Sequence, residues 1–378
     1  MFIRLANLIN ENGVWFVSSH GSYLMRLDLE TEETLCKSVL PERNASASTS
    51  ALQRIGEYII TAPLNGNCFY AFHIYTGELT CIYEEKEYSC LKKYFSSFKV
   101  NEKAYFIGAK TRKIISVCIE DGKPVCREIE INVDYLLDKD TDMALQTAVT
   151  GSKAYISING TSNIFVLDTL INTCELVEVS KRKIFNMAVS DGYDVWLISE
   201  QLNAVYKLDT KTNRAALFSL LPEEEILEKR RRFSGAVCCN GSMWIYPFYS
   251  GMLIKMNLES GETVCIKQYK REDVKYLNAG SLDDTHVWGY NSIDNTVDII
   301  NCVDGILQSI KPKKPSNYLS YINFVDEDGN SSVIEEYELG LDQFLNYLNA
   351  EKRTEDHSSE HEINIGKNIW NSIREEME

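Results

Sequence analysis

The chain has no run approaching the ~18 consecutive apolar residues that a membrane-spanning helix requires, and no Pro-, Gly- or Ser-rich linker divides its first 310 residues. Proline is scarce, at 7 of 378 residues, and there are only five histidines. The first excludes a bitopic anchor, and the second argues for one continuous domain although 378 residues exceed an ordinary single core. The opening MFIRLANLIN carries one Arg and an apolar stretch broken by Asn7 and Asn10, with no small-residue cleavage site, so a secretory signal is not expected. No CxxC pair accompanies the 11 cysteines, and Cys238-Cys239 are adjacent on an apolar run. Reduced thiols and a cytoplasmic location follow as expectations. P-loop, dinucleotide and G-x-S-x-G fingerprints are absent. Positive charge is in deficit, giving a net charge of -16, which argues against general affinity for nucleic acid or an anionic membrane.

What is present is repetition. Lys183 to Leu220 contains four short apolar or alternating runs separated by Asp191-Gly192, Glu200 to Asn203 and Thr210 to Asn213, the chemistry of tight turns. A four-stranded meander alone has two uncovered faces and needs neighbours. Taking Asp209 at the end of the third strand as reference, equivalents fall at Asp28, His73, Cys118, Asp168, Asn257 and Asn301, at intervals of 41 to 50 residues. That period is one four-stranded blade. Thirteen residues earlier stands an aromatic in six copies, Trp15, Tyr105, Tyr155, Trp196, Trp244 and Trp288. In the second copy Tyr58 lies fifteen earlier, which implies two extra residues in the Pro63 to Gly66 turn. Four residues after the reference come Gly77, Gly122, Gly261, Gly305, Asn172 or Asn213, which tolerate positive φ, and only Glu32 departs.

The expected fold is therefore all-β: a seven-bladed propeller of four-stranded antiparallel blades over residues 1–313, followed by an accessory β-hairpin over 314–340 and a helical tail over 341–378 with a mobile linker at 354–362. The hairpin is expected near the seam between first and last blades. Phrases such as Leu27-Asp28-Leu29-Glu30-Thr31 and His73-Ile74-Tyr75-Thr76-Gly77 resemble the repeats of bacterial YVTN or quinoprotein-like seven-bladed propellers, which are WD40-like in architecture. The resemblance implies the fold and transfers no active site. The Trp of quinoprotein docking motifs is missing, so no cofactor is expected, and no metal either. Cys36, Cys81, Cys126 and Cys265 all lie eight residues after the reference, so repeat position accounts for them, on outer strands expected to diverge beyond sharing an ion.

Candidate ligand contacts gather on one face. Loops joining one blade's outer strand to the next blade's inner strand share it with the second-to-third-strand loops. Just before the inner strands stand Lys92 and Lys93; Lys181, Arg182 and Lys183; Lys229, Arg230, Arg231 and Arg232; and Lys270, Arg271 and Lys275. Twelve of 39 basic residues would make an electropositive mouth on an acidic body. Arg and Lys recognise carboxylate or phosphate. The bland reading is solvated loop charge, with Pro222, Glu223 to Glu225 and Lys229 to Arg232 forming a short helix whose dipole favours that order. Ser96, Gln146, Asn186, Ser234 and Asn278 occupy the second place of related tetrapeptides opening the inner strands and would ring the channel mouth. Small size near a crowded axis explains them equally well. Tyr246, Phe248, Tyr249 and Tyr290 could stack on a sugar or base, and His20 is the histidine nearest the mouth.

These residues lead to a non-catalytic binding or scaffold propeller for an anionic small molecule, glycan or protein. The alternative is a carbohydrate-active or other hydrolytic enzyme whose acids and His20 converge at the mouth. A third reading is a protein-interaction platform using Ile365, Ile369, Trp370 and Ile373 on the tail helix. His357-Ser358-Ser359-Glu360-His361 matches a zinc-protease pattern but sits in the polar linker, where chance is the better explanation, and Asp283-Asp284 reads as turn chemistry on the opposite face.

Overall fold

A computed structural model describes the chain apart from residues 1–2, 11–12, 19–22, 41–48, 65, 86–93, 109–112, 132–142, 159–160, 182–183, 223–230, 271–273, 314–323, 326–330 and 333–378. Every regular element among the described residues is a strand. Blade 1 is β1 (Ile3–Asn10), β2 (Gly13–Ser18), β3 (Tyr23–Asp28) and β4 (Thr34–Val39); blade 2 is β5 (Thr49–Ile55), β6 (Tyr58–Pro63), β7 (Cys68–His73) and β8 (Leu79–Glu84). Blade 3 is β9 (Tyr94–Val100), β10 (Lys103–Gly108), β11 (Lys113–Glu120) and β12 (Lys123–Glu130); blade 4 is β13 (Met143–Thr150), β14 (Lys153–Ile158), β15 (Asn163–Asp168) and β16 (Thr173–Glu178). Blade 5 is β17 (Met187–Ser190), β18 (Val195–Ser199), β19 (Ala204–Asp209) and β20 (Arg214–Leu220). Blade 6 is β21 (Phe233–Cys239), β22 (Ser242–Pro247), β23 (Met252–Asn257) and β24 (Thr263–Gln268), and blade 7 is β25 (Tyr276–Ser281), β26 (His286–Asn291), β27 (Thr296–Asn301) and β28 (Leu307–Ile310).

Each blade is an antiparallel sheet whose strands pair in chain order. The inner strands β1, β5, β9, β13, β17, β21 and β25 contact one another in succession, and β25 contacts β1, so the ring closes. No strand is exchanged between blades.

The reference residue is conspicuous in sequence because it caps the turn between third and fourth strands. Asp28 Oδ1 accepts the backbone N–H of Glu30 and Thr31, both at 3.0 Å. His73 does the same through Nδ1 for Tyr75 and Thr76, and Asp209, Asn257 and Asn301 repeat it. Cys118 has no acceptor of that kind. Blade 3 instead extends both strands and turns at Asp121-Gly122, with Glu120 paired to Lys123. The residue four after the reference adopts left-handed φ in all seven blades, from 53° at Asn172 to 76° at Gly122. Glu32, which has neither glycine's freedom nor asparagine's tolerance, is held at 61°.

The core is seven cores. Each hydrophobic cluster spans one seam between adjacent blades, for example Trp196 and Ile198 of blade 5 with Ala236, Met243 and Ile254 of blade 6, and Val14, Phe16 and Met25 of blade 1 with Trp288 and Tyr290 of blade 7. The six column aromatics are all at most 2% exposed. A side chain of this size buries ~200 Å² and contributes about 5 kcal/mol of transfer free energy at ~25 cal/mol/Å². In blade 2 the equivalent position belongs to Ile60, not Tyr58. The column residue pairs with the residue two before the reference, as Trp15 pairs with Arg26 and Ile60 with Ala71. No residues are inserted; Tyr58 pairs with His73 itself, and its hydroxyl donates to Gly122 O of blade 3 at 3.1 Å.

The closing seam has a second, polar tie. Lys313 N donates to Glu32 O at 3.0 Å, its Nζ donates to Thr31 O at 3.0 Å, and Glu33 and Lys313 form a β-bridge. The chain thus leaves blade 7 against the third turn of blade 1. Beyond it, β29 (Phe324–Val325) pairs antiparallel with β30 (Ser331–Ser332); the rest of the predicted 314–340 segment lies outside the described residues. The predicted tail helices, the zinc-protease-like motif and residues Ile365, Ile369, Trp370 and Ile373 lie outside the described residues.

The outer-strand cysteines are free, and burial pushes the thiols of Cys36 and Cys126 up to about 12. The outer strands β8 and β12, which carry Cys81 and Cys126, contact each other. Among the described residues no three His, Cys, Asp or Glu side chains converge as metal ligands.

Candidate functional site at the top face of blades 5 to 7

The inner strands carry irregularities in their first residues, where they reach the top face. Pairing slips between Phe233 and Gly235 in β21, between Tyr276 and Ala279 in β25 and between Met143 and Thr147 in β13. Ser234, Asn278 and Gln146 therefore sit in bulges, which turn a residue out of the alternation. Ser96 follows a similar slip between Tyr94 and Ser96 in β9, opposite Gly108 and Ile107. Asn186 stands just before β17, with Oδ1 accepting Glu200 N at 3.0 Å.

Of these, Gln146 makes a contact that its spacing did not foretell. Its Nε2 donates to Ala236 O, and its Oε1 accepts Ala236 N at 2.8 Å. This pair of hydrogen bonds ties the inner strand of blade 4 to that of blade 6. Ser96 and Ser234 are buried, and Ser234 Oγ donates to Tyr246 O at 3.3 Å.

The predicted cations divide sharply. Lys92, Lys93, Arg182 and Lys183 lie outside the described residues, as does His20, while Lys181 is exposed. Arg232 is buried: its Nη1 donates to Asn203 Oδ1 at 2.8 Å and to Glu200 O at 3.3 Å. It fastens blade 6 to blade 5 and is not open to a ligand. Arg231 is different. Its Nε donates to Phe233 O at 2.8 Å and its Nη2 to Ser234 O at 2.6 Å, with the guanidinium carbon 4.9 Å from the centre of the Phe248 ring. Those contacts engage the side edge of the guanidinium. The end edge, Nη1 with the second proton of Nη2, has no partner among the described residues.

Glu200, from the turn between β18 and β19, faces the same place. Its Oε1 accepts Phe233 N at 2.9 Å and Arg232 N at 3.2 Å. Burial pushes its carboxyl above the ordinary range, although those backbone bonds and the attraction of Arg231 oppose it. Burial likewise brings Arg231 down to about 10 against the pull of Glu200. The sequence showed Glu200 only as the first residue of a turn, a position where Asp, Asn, Ser or Gly is more usual; that oddity was its one legible signal.

The loop after β22 forms the wall. Phe248 N and Ser250 N both donate to Arg232 O, at 2.7 and 3.0 Å, and Lys275 N donates to Phe248 O at 3.0 Å. Lys275 itself is 0% exposed, with Nζ donating to Tyr249 O at 3.4 Å, so it pins the wall from behind. Tyr246 and Tyr290 offer no ring to a sugar or base, because they are 0% and 1% exposed in the seams on either side of blade 7. Tyr249 remains half-buried, edge-on to Phe248 at 5.0 Å. Asp283 accepts Thr285 N and His286 N in its turn, as the sequence implied.

A second buried charge cluster went unforeseen at the seam of blades 2 and 3. Glu85, wholly buried, accepts Tyr94 OH at 2.7 Å and Lys113 Nζ at 2.9 Å. In blade 7, buried Asp298 accepts from Tyr276, Asn291, Thr296 and Ser309, two donors to each oxygen.

No protein-family model matches this chain, and no curated protein is significantly similar to it. Solved structures are similar in fold. Virginiamycin B lyase from Staphylococcus aureus superposes with a TM-score of 0.54 at 11% identity, covering 70% of this chain and 84% of that one. The β-propeller domain of Cps50 (Swd1) from Myceliophteria thermophila gives 0.55 at 9% identity, covering 79% and 97%. PorZ of Porphyromonas gingivalis gives 0.52 at 10%, covering 84% and 40%. At such identities the likeness is of fold alone: this is a seven-bladed propeller.

Proposed function

We propose that the chain is a non-catalytic binding propeller that takes an anionic small molecule, glycan or acidic protein segment at the top face over blades 5 to 7. One observation carries this reading: the guanidinium of Arg231, anchored along one edge and lying over the Phe248 ring, leaves its other edge without a partner among the described residues. A preformed, partly desolvated guanidinium fork loses little entropy on gripping a carboxylate or phosphate. Asn278 and Asn186 border the place and Tyr249 walls it. A hydrolase would need a second acid facing Glu200 across a cleft, and Glu200 Oε1 is already committed to backbone.

A thermal-shift screen of phosphorylated sugars, acidic sugars and small carboxylates tests the proposal, since a ligand raises apparent stability by mass action. At least one anion is expected to raise Tm in the wild type and to lose that effect in Arg231→Met. Equal shifts in the two proteins would refute it.

A further inference from the structure

Arg231 and Glu200 share an arrangement that a plain anion site does not require. Each has one half fixed to the same few backbone groups at the start of β21: the arginine by donating to Phe233 O and Ser234 O, the carboxylate by accepting Phe233 N and Arg232 N. Each has its other half, the Nη1/Nη2 edge and Oε2, without a partner among the described residues. Their shared anchoring on Arg232 to Ser234 brings the two charges to one place, and among the described residues no ion pair joins them. A buried pair of opposite charges ordinarily collapses into contact or is neutralised. This pair is kept open.

Resting on the top-face binding reading above, we infer that Arg231 and Glu200 form the two ends of a site for a small zwitterion, the carboxylate on the Arg231 fork and the ammonium on Glu200 Oε2. The selectivity follows from the charges. A dianion gains at Arg231 and is repelled by Glu200, a simple cation has the reverse experience, and only a dipolar ligand is favoured at both ends. A free α-amino acid is the chemical class with a carboxylate and an ammonium one carbon apart. Phe248 and Tyr249, set edge-on, give its side chain an apolar wall.

The test is calorimetric titration of the full chain at pH 7 with the twenty free amino acids and, for each that binds, its deaminated acid and decarboxylated amine; for phenylalanine these are 3-phenylpropionate and phenethylamine. At least one amino acid is expected to bind tenfold or more tighter than either analogue. Glu200→Gln, whose amide oxygen can keep the backbone bonds, is expected to erase the preference, weakening the amino acid and strengthening the deaminated acid, from which the repulsion of Glu200 has been removed. Arg231→Met should abolish binding of both. Far-ultraviolet circular dichroism and Tm confirm that each variant is folded, and Arg231→Lys, should Met disrupt the loop, keeps charge but lacks the fork and is expected to lose at least tenfold. If the deaminated acid or a phosphosugar binds through Arg231 as tightly as any amino acid, and Glu200→Gln changes nothing, the zwitterion inference is overturned while the anion reading stands. If neither amino acids nor anions bind, both fall.

Discussion

Two seams of one ring treat buried charge in opposite ways. Between blades 2 and 3, Glu85 is sealed from solvent and saturated by Lys113 and Tyr94. Between blades 5 and 6, Glu200 and Arg231 are each saturated on one side and open on the other. A sealed pair contributes to positioning two blades and has nothing left for a ligand. An open pair accepts incomplete solvation in the free protein, a cost recovered only when something fills the gap. The difference teaches where to look for function in a molecule whose repeats otherwise look alike.

Substitutions at these charges should form a graded series. The largest effect is expected for Lys113→Met, which strands a fully buried carboxylate and should cost about 3–5 kcal/mol by urea denaturation; pairing it with Glu85→Leu should restore most of the loss. If Lys113→Met is mild, the seam is wetter than its geometry implies. Arg231→Met should cost about 2 kcal/mol, since it leaves two backbone carbonyls without a donor but no buried counter-charge in contact. A cost as large as at Lys113 would mean that the two seams are energetically the same and the comparison fails.

Glu200→Gln has a distinctive pH signature. The folded carboxyl is raised above its ordinary value, so the folded state holds its proton more tightly than the unfolded chain does. Wild-type stability therefore falls as pH rises from the ordinary carboxylate value through the raised one. The variant lacks that decline, so its Tm advantage over wild type should appear above this window and vanish below it. Parallel Tm curves between pH 4 and 8 would show that Glu200 is not desolvated. Smallest of all, Lys313→Met at the exposed pair with Glu32, 3.8 Å apart, should cost under about 1 kcal/mol.

The repeat was legible because its markers act locally. Asp28 and Asn257 cap turns two and three residues away, and Gly77 or Asn172 needs only its own backbone to take a left-handed φ. Trp244 and its equivalents were legible as packing because area burial is indifferent to partner identity. Tyr58 misled for the complementary reason: spacing finds an aromatic, but register decides its face, and Ile60 holds the column in blade 2. The site was mostly hidden because its contacts cross seams. Arg232 meets Asn203 at a separation of 29 residues, and Gln146 meets Ala236 at 90. A run of four basic residues says nothing of which will be turned inward, and here Arg232 is consumed by carbonyl and amide oxygens while Arg231 keeps an edge without a partner among the described residues. Lys275 likewise reads as surface charge and is wholly buried.

Every blade being four consecutive strands, with β1 to β4 complete before blade 2 begins and β25 to β28 complete at the end, means that the starting point of the ring is arbitrary. The peptide linking one blade to the next can be severed without breaking a sheet, because the seam it spans is held chiefly by packed side chains. A gene rearranged to begin at Met143 and end at Ile131, with Lys313 joined to Ile3 by a short linker, would encode the same seven sheets in the same cyclic order. Two fragments divided there would each consist of whole blades, with a Trp- or Tyr-lined face at either end to find the other.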